Sequence, residues 1–198
     1  MKLFGAAIIL VSTCFADLKT MQDQLNKFAT SDQPMVRSRR SLDDKGQFSL
    51  WLEDVDEYGC WCYFGDKHGA GKSQPVNELD AHCKQLHEGY ECAIIDDAGN
   101  NCEPWTVTYT AVNYLLDDAS VLSQCEAVNG AGTCAAHACS VESRFLRDVS
   151  FWSIFNFLDL PSYSHNQGSF NTTQSCHVTM GAPSTRACCG TYGVFLKT

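Results

Sequence analysis

The cysteine content of this chain limits its fold more than any other feature of the sequence. Twelve of its 198 residues are cysteine, and eleven of these follow residue 40. Such a density is typical of exported domains that reinforce a modest core with disulfides. Because eleven is odd, five bridges within the chain would leave one cysteine free or available for an intermolecular disulfide. The eleven are Cys60, Cys62, Cys83, Cys92, Cys102, Cys125, Cys134, Cys139, Cys176, Cys188 and Cys189.

The first forty residues have the features of segments that are removed during export. Residues 1–16 combine a basic start, a short apolar run and small residues near the end, which predicts a signal peptide. Residues 17–40 are mostly polar and end in Arg37-Ser38-Arg39-Arg40, which resembles a furin-type processing site. The pattern therefore predicts a propeptide over 17–40 and a secreted, extracellular domain over 41–198. The alternatives are a buried N-terminal helix and a solvated basic patch.

The charge of the chain restricts its partners. The whole sequence carries a net charge of −9, and after residue 40 there are 20 acidic and only 8 basic residues. Nucleic acids and anionic membranes would repel such a domain. Calcium, cationic partners and neutral surfaces remain compatible with it. Asn171-Thr172-Thr173 is an N-glycosylation sequon, which predicts a surface position and a glycoprotein.

Hydrophobic periodicity predicts a mainly α, disulfide-rich fold with a small β-hairpin. Apolar residues recur at helical spacing from Leu79 to Tyr90, whereas Val107, Tyr109 and Ala111 alternate as in a strand. The elements expected, in chain order, are a short helix over 48–55, a cysteine-pinned loop over 58–72, a helix over 76–95, a turn-rich break over 96–104, a hairpin over 105–114, a hinge over 130–132, a helix over 133–149 and a long disulfide-clamped tail over 161–198.

An unusually aromatic segment follows the last predicted helix. Residues 151–158 read Phe-Trp-Ser-Ile-Phe-Asn-Phe-Leu. A buried continuation of the helix is the favoured interpretation, because large exposed apolar patches are rare on monomers. The alternative is a surface that inserts into lipid.

One block of the sequence has the residues needed for hydrolytic chemistry. A tight loop of the type Cys-x-Cys, here Cys60-Trp61-Cys62, can turn several backbone carbonyls toward one point, and Ca²⁺ prefers six to eight oxygen ligands. Glu88 adds a carboxylate, and the adjacent His87 can act as a general base on water. The alternative is zinc held by His82, Cys83 and His87 together with Cys60 and Cys62. It is disfavoured because the spacing is not a known zinc pattern and exported cysteines usually oxidise.

These residues resemble the secreted phospholipase A2 superfamily. The family's calcium loop is Y-G-C-Y-C-G-x-G, and this chain has Y-G-C-W-C-Y-F-G over 58–65. The family's catalytic helix is D-x-C-C-x-x-H-D-x-C, and this chain has D-A-H-C-K-Q-L-H-E-G-Y over 80–90. The resemblance implies that His87 is the catalytic base and that Glu88 ligates calcium. It also implies three carbonyl ligands, from Trp61, Tyr63 and Gly65.

A second block extends the resemblance. The family motif C-x-C-D carries an aspartate that orients the histidine, and Cys139-Ser140-Val141-Glu142 places Glu142 at that position. Two cysteines that form a bridge in the family are replaced together, by Tyr90 and Val141, and we expect an apolar contact between them instead. The chain departs from the family at Glu88 (aspartate), Tyr63 (glycine) and Lys84 (cysteine). Since Lys84 stands at the usual partner position of Cys62, Cys62 must bond elsewhere or be unpaired.

The resemblance implies a pair of antiparallel helices and a calcium-dependent lipid esterase. Its substrate would be the sn-2 ester of a glycerophospholipid, with His87 deprotonating water, Glu142 orienting the histidine and calcium stabilising the oxyanion. The alternative is a catalytically silent extracellular module on the same scaffold, acting as a binding, toxin-like or matrix protein. A third possibility, an unrelated disulfide-rich structural protein, requires that the two main helices do not pack antiparallel.

Overall fold

The computed structural model describes residue 21 and residues 55–97, 101–156, 160–166 and 170–177. The predicted signal peptide, the cleavage site and most of the predicted helix over 48–55 lie outside these ranges. In the described residues the chain is mainly helical and disulfide-rich, as the sequence predicts. The helices are α1 (Glu78–Asp96), α2 (Asp118–Asn129), α3 (Cys134–Asn156), α4 (Leu160–Tyr163) and α5 (Thr172–Ser175), preceded by a 3₁₀ turn (Gly65–Lys67).

Helix α1 begins two residues later than the sequence suggested, because Asn77 is its N-cap. The Asn77 side chain accepts a hydrogen bond from the backbone N–H of Asp80 at 3.0 Å. Glu78 and Asp80 place negative charge in the first turn, where the helix dipole favours it. Pro75 therefore lies just before the cap instead of in the first turn.

Helices α1 and α3 pack against each other and run antiparallel. Near the start of α1, His82 lies 4.0 Å from Asp148. Near its end, the Tyr90 hydroxyl donates to Glu142 at 2.8 Å. The partner number falls as the α1 number rises, which defines the antiparallel direction. The main core cluster lies along this interface and includes Leu79, Cys83, Leu86, Tyr90, Val141, Phe145, Leu146 and Val149.

Helix α2 is an element that the sequence analysis missed. Its local signals are present: the Asp117 side chain accepts from Ser120 N–H at 3.1 Å, and Gly130 ends the helix at a φ of 92°. Only Val121 and Cys125 are buried on it, so the apolar periodicity is too sparse to reveal a helix. Gly130, predicted as part of a hinge, is its C-cap.

The predicted hairpin over 105–114 is wrong. Burial alternates only over 106–110, where Val107 and Tyr109 are less exposed than the threonines beside them; beyond Thr110 it shifts to Val112, and the segment belongs to no strand. In place of a neighbouring strand, the Asn129 side chain bonds both backbone groups of Thr110, accepting from its N–H at 2.6 Å and donating to its carbonyl at 3.0 Å. A side chain at the end of α2 thus satisfies the backbone that a hairpin partner would otherwise pair. The β-bridges of the described residues are isolated, Tyr58–Cys62 and Tyr58–Ser164.

Four disulfides join described residues. They are Cys60–Cys176, Cys62–Cys83, Cys102–Cys134 and Cys125–Cys139. Cys62 therefore bonds one residue before the position held by Lys84. The Cys60–Cys176 bridge spans 116 residues and ties the described part of the tail to the loop, as predicted.

One described residue of the predicted propeptide is part of the core. Met21 is fully buried and belongs to the same cluster as the α1–α3 interface. Met21 therefore contributes to the same core as the two long helices. Among the described helices, none combines the length and the apolar character that crossing a bilayer requires.

Candidate active site

The loop that carries the Cys-x-Cys motif is fixed to α1 by Asp80. The buried Asp80 carboxylate accepts hydrogen bonds from the backbone N–H groups of Cys60 (2.9 Å), Trp61 (2.7 Å) and Val76 (2.9 Å). Burial raises the pKa of Asp80, and these three hydrogen bonds act in the opposite direction. Together with the Cys62–Cys83 bridge, this carboxylate fixes the position of the loop relative to α1.

His87 points from α1 into this loop. Its Nε2 lies 2.8 Å from the Trp61 carbonyl oxygen, and its Nδ1 lies 2.8 Å from Nδ1 of His68. The residue is only 4% exposed. Burial lowers the pKa of His87 to about 4, and the neighbouring His68 lowers it too, against hydrogen bonds to the backbone of Trp61 and Tyr63 that raise it. His87 is therefore neutral at physiological pH.

His68 stands between His87 and two other aromatic rings. It stacks on Trp105 with centroids 4.2 Å apart and an interplanar angle of 16°, and it meets the edge of Tyr90 at 5.4 Å. Its backbone N–H donates to the Gly65 carbonyl at 3.1 Å. Burial lowers the pKa of His68, and the nearby Glu91 partly opposes this.

Glu142 lies on the facing helix, α3, and is fully buried. Its two carboxylate oxygens accept from two tyrosines: Oε1 from the Tyr90 hydroxyl at 2.8 Å, and Oε2 from the Tyr109 hydroxyl. Tyr90 contacts His68 on its other side, so the carboxylate and the histidine pair belong to one connected cluster. Tyr90 and Val141, the expected replacement for a lost bridge, both lie in the main core cluster.

One of the predicted calcium ligands, the Trp61 carbonyl, has both of its lone pairs occupied by protein donors. A carbonyl oxygen offers two lone pairs, and that of Trp61 already accepts from His87 Nε2 and from the Tyr63 backbone N–H at 2.9 Å. The Gly65 carbonyl accepts from His68. The Trp61 carbonyl therefore faces the His87 ring, whereas the Gly65 carbonyl faces the His68 backbone.

Two further predicted positions lie beside this cluster. Glu88 is partly exposed on α1, next to His87 in sequence. Lys84 places its ammonium group 5.3 Å from the Trp61 ring centroid, a cation–π contact. Lys84, which stands where the family has a cysteine, therefore lies against the loop tryptophan.

Thiolate-bound zinc is excluded for the motif cysteines, because Cys60, Cys62 and Cys83 are all oxidised in disulfides. Within the described ranges, one group of potential metal ligands brings Asp97 close to Cys102 and Cys134. Those two cysteines form a disulfide with each other, so they offer no thiolate to a metal.

Sequence reasoning missed three residues of the site: Asp80, His68 and Tyr109. Asp80 had a usable signal, since an acidic residue in the first turn of a helix favours contacts with backbone N–H groups. His68 and Tyr109 had none, because their partners are 19 and 33 residues away in the chain.

No known protein family matches this chain, and no significantly similar relative is found among curated proteins.

Proposed function

We propose that this protein is an exported lipid esterase of the phospholipase A2 type, which hydrolyses a carboxylic ester of glycerophospholipids at the sn-2 position. The observation that carries the proposal is the contact between His87 and the Cys-x-Cys loop, with Nε2 2.8 Å from the Trp61 carbonyl. The two blocks that resemble the family are far apart in sequence. They meet here through an antiparallel helix pair and Tyr90, which links Glu142 to the histidines.

The chemistry available to these side chains is general base catalysis by neutral histidine. A neutral imidazole can accept a proton from water, and the resulting hydroxide attacks the ester carbonyl carbon. The bond to the glycerol oxygen then breaks, and the alkoxide takes the proton back. No step is assigned to calcium, since the Trp61 carbonyl is already saturated.

The experiment uses the disulfide-bonded protein, purified from an oxidising expression host. The substrate is phosphatidylcholine with a fluorogenic sn-2 acyl chain in mixed micelles, assayed in excess chelator and again with added calcium. We expect turnover in chelator that the double variant His68→Gln/His87→Gln abolishes. His137→Gln, in the first turn of α3 and outside the cluster, is the matched control and should keep its activity. If turnover strictly required calcium, the protein would instead be a calcium-dependent esterase of the same type.

A second function, a catalytically silent module on this scaffold, is favoured by one observation. Both ring nitrogens of His87 are hydrogen-bonded to protein groups, His68 and Trp61, which suits a structural histidine. This protein would then bind an extracellular ligand without turning it over. Absence of turnover in the native protein, with and without calcium, would select this alternative.

A further inference from the structure

The hydrogen bonds of the histidine pair define which nitrogen carries each proton. The Trp61 carbonyl can only accept, so neutral His87 bears its proton on Nε2 and a lone pair on Nδ1. That lone pair faces Nδ1 of His68 at 2.8 Å, so His68 bears its proton on Nδ1. The ring nitrogen of His68 that carries the lone pair is therefore Nε2.

The separation of the two nitrogens distinguishes a hydrogen bond from a metal chelate. Two imidazole nitrogens bound to one tetrahedral zinc at about 2.0–2.1 Å would be about 3.3 Å apart. The observed 2.8 Å matches a short hydrogen bond instead. The pair is thus joined by a hydrogen bond that fixes the orientation of the two rings.

The two rings differ in accessibility. His87 is 4% exposed, and both its nitrogens face protein groups. His68 is partly exposed, and its ring plane is held by the stack on Trp105 and by the edge contact with Tyr90. Water can therefore approach the outer member of the pair more readily than the inner one.

We propose that His68, through Nε2, is the catalytic base of this site, and that His87 is a positioning residue that holds His68 in the reactive tautomer. This inference rests on the esterase function proposed above. Nε2 of His68 takes a proton from water as the hydroxide bonds to the ester carbonyl carbon. The Nδ1–H of His68 stays on Nδ1 of His87, and the Nε2–H of His87 stays on the Trp61 carbonyl. Collapse of the tetrahedral intermediate breaks the bond to the alcohol oxygen, which takes the proton from Nε2 of His68, and the carboxylic acid product then loses its proton to water.

Separate glutamine and alanine variants test the two roles. Glutamine at position 87 can donate to Trp61 through its amide N–H and accept from His68 through its carbonyl, so His87→Gln preserves both contacts. We expect His68→Gln to lower kcat by about 100-fold or more with little change in KM. His87→Gln should lower kcat by less than about tenfold, whereas His87→Ala, which frees the His68 tautomer, should lose much more.

Larger loss of kcat in His87→Gln than in His68→Gln would overturn the assignment and return the base to His87. A second measurement is independent of turnover: ¹⁵N shifts of the histidine rings at neutral pH should show protonated Nδ1 and unprotonated Nε2 for His68, and the reverse for His87. If the native protein has no esterase activity, the proposed function fails while the shifts still report the tautomers. The opposite shifts would overturn the inference even in an active enzyme.

Discussion

At the scale of single residues, Asp80 is the residue that attaches the Cys-x-Cys loop to α1 through hydrogen bonds. Three backbone N–H groups donate to its buried carboxylate, two of them from the Cys-x-Cys loop. Hydrogen bonds to a charged group contribute about 1.5–3 kcal/mol each, so Asp80→Ala should lower the free energy of unfolding by at least about 3 kcal/mol. Chemical denaturation measures this. The matched control is Asp117→Ala, which removes an exposed N-cap and should lower the free energy of unfolding by clearly less than Asp80→Ala does. Equal losses would contradict this role for Asp80.

Gly59 is a second residue whose identity the loop requires. Its φ is 57°, and a Cβ added there would lie 2.5 Å from Cγ of Asp80. Gly59→Ala should therefore cost more than the 1–2 kcal/mol (roughly) of a left-handed backbone alone. Gly69→Ala isolates that backbone cost, since Gly69 has a φ of 87° and open space around the added Cβ. Similar unfolding midpoints for the two variants would show that the contact with Asp80 does not matter.

The buried His87 predicts how stability depends on pH. Its pKa of about 4 in the folded protein is below the unfolded value of 6.5, so folding releases a proton in this range. The stability linked to neutral His87 is fully present above pH 6.5. As the pH falls toward 4, the free energy of unfolding decreases by up to about 3 kcal/mol. His68, whose pKa is also lowered, acts in the same direction, with Glu91 opposing it. Denaturation from pH 4 to 7 should give a smaller slope for His87→Gln; an unchanged slope would exclude a buried neutral His87.

At the scale of elements, the α1–α3 pair is joined by polar contacts inside its apolar interface. The Tyr90 hydroxyl of α1 donates to the buried Glu142 carboxylate of α3. A double-mutant cycle with Tyr90→Phe and Glu142→Gln should give a coupling free energy of about 1–2 kcal/mol in urea unfolding. Tyr163→Phe, a partly buried tyrosine outside this contact, should show no coupling to Glu142→Gln. Additive losses in the Tyr90 cycle would contradict a direct contact.

The elements that sequence reasoning predicted are those with strong local signals. Both long helices were expected because apolar residues recur at helical spacing over many turns, and α1 missed its start by two residues at the Asn77 cap. The alternation over 105–114 predicts the burial of Tyr109 correctly, but the phase shifts to Val112 and the hairpin is wrong. Alternation reports which side chains face the core, whereas a strand also needs a partner, and here Asn129 takes that place.

At the scale of the whole molecule, the disulfides locate the odd cysteine. Every cysteine in the described ranges is disulfide-bonded, and the four bridges above join eight of these nine cysteines to one another. The sequence predicts that Cys14 leaves with a signal peptide, which would leave Cys188 and Cys189 as the cysteines beyond those ranges. We therefore expect the odd thiol to be one of this adjacent pair.

Alkylation of the denatured, unreduced protein followed by peptide mass spectrometry measures the odd thiol. One label at Cys188 or Cys189, or a dimer on non-reducing gels linked through this pair, is the expected result. A label on any cysteine of the described ranges would contradict the pairing, as would a monomer without any label.

The sequence by itself determined the disulfide-rich, mainly helical class and the two long helices. It also indicated the candidate site residues, which are Cys60 to Gly65, His87 and Glu142. These follow from composition, short-range spacing and motif order, which act over a few residues. The tertiary structure decided that Cys62 bonds Cys83, that the Trp61 carbonyl faces His87, and that His68 completes the pair. Those contacts join residues 19 to 26 positions apart, and their formation depends on how the loop packs on α1. No local pattern in the sequence encodes that packing.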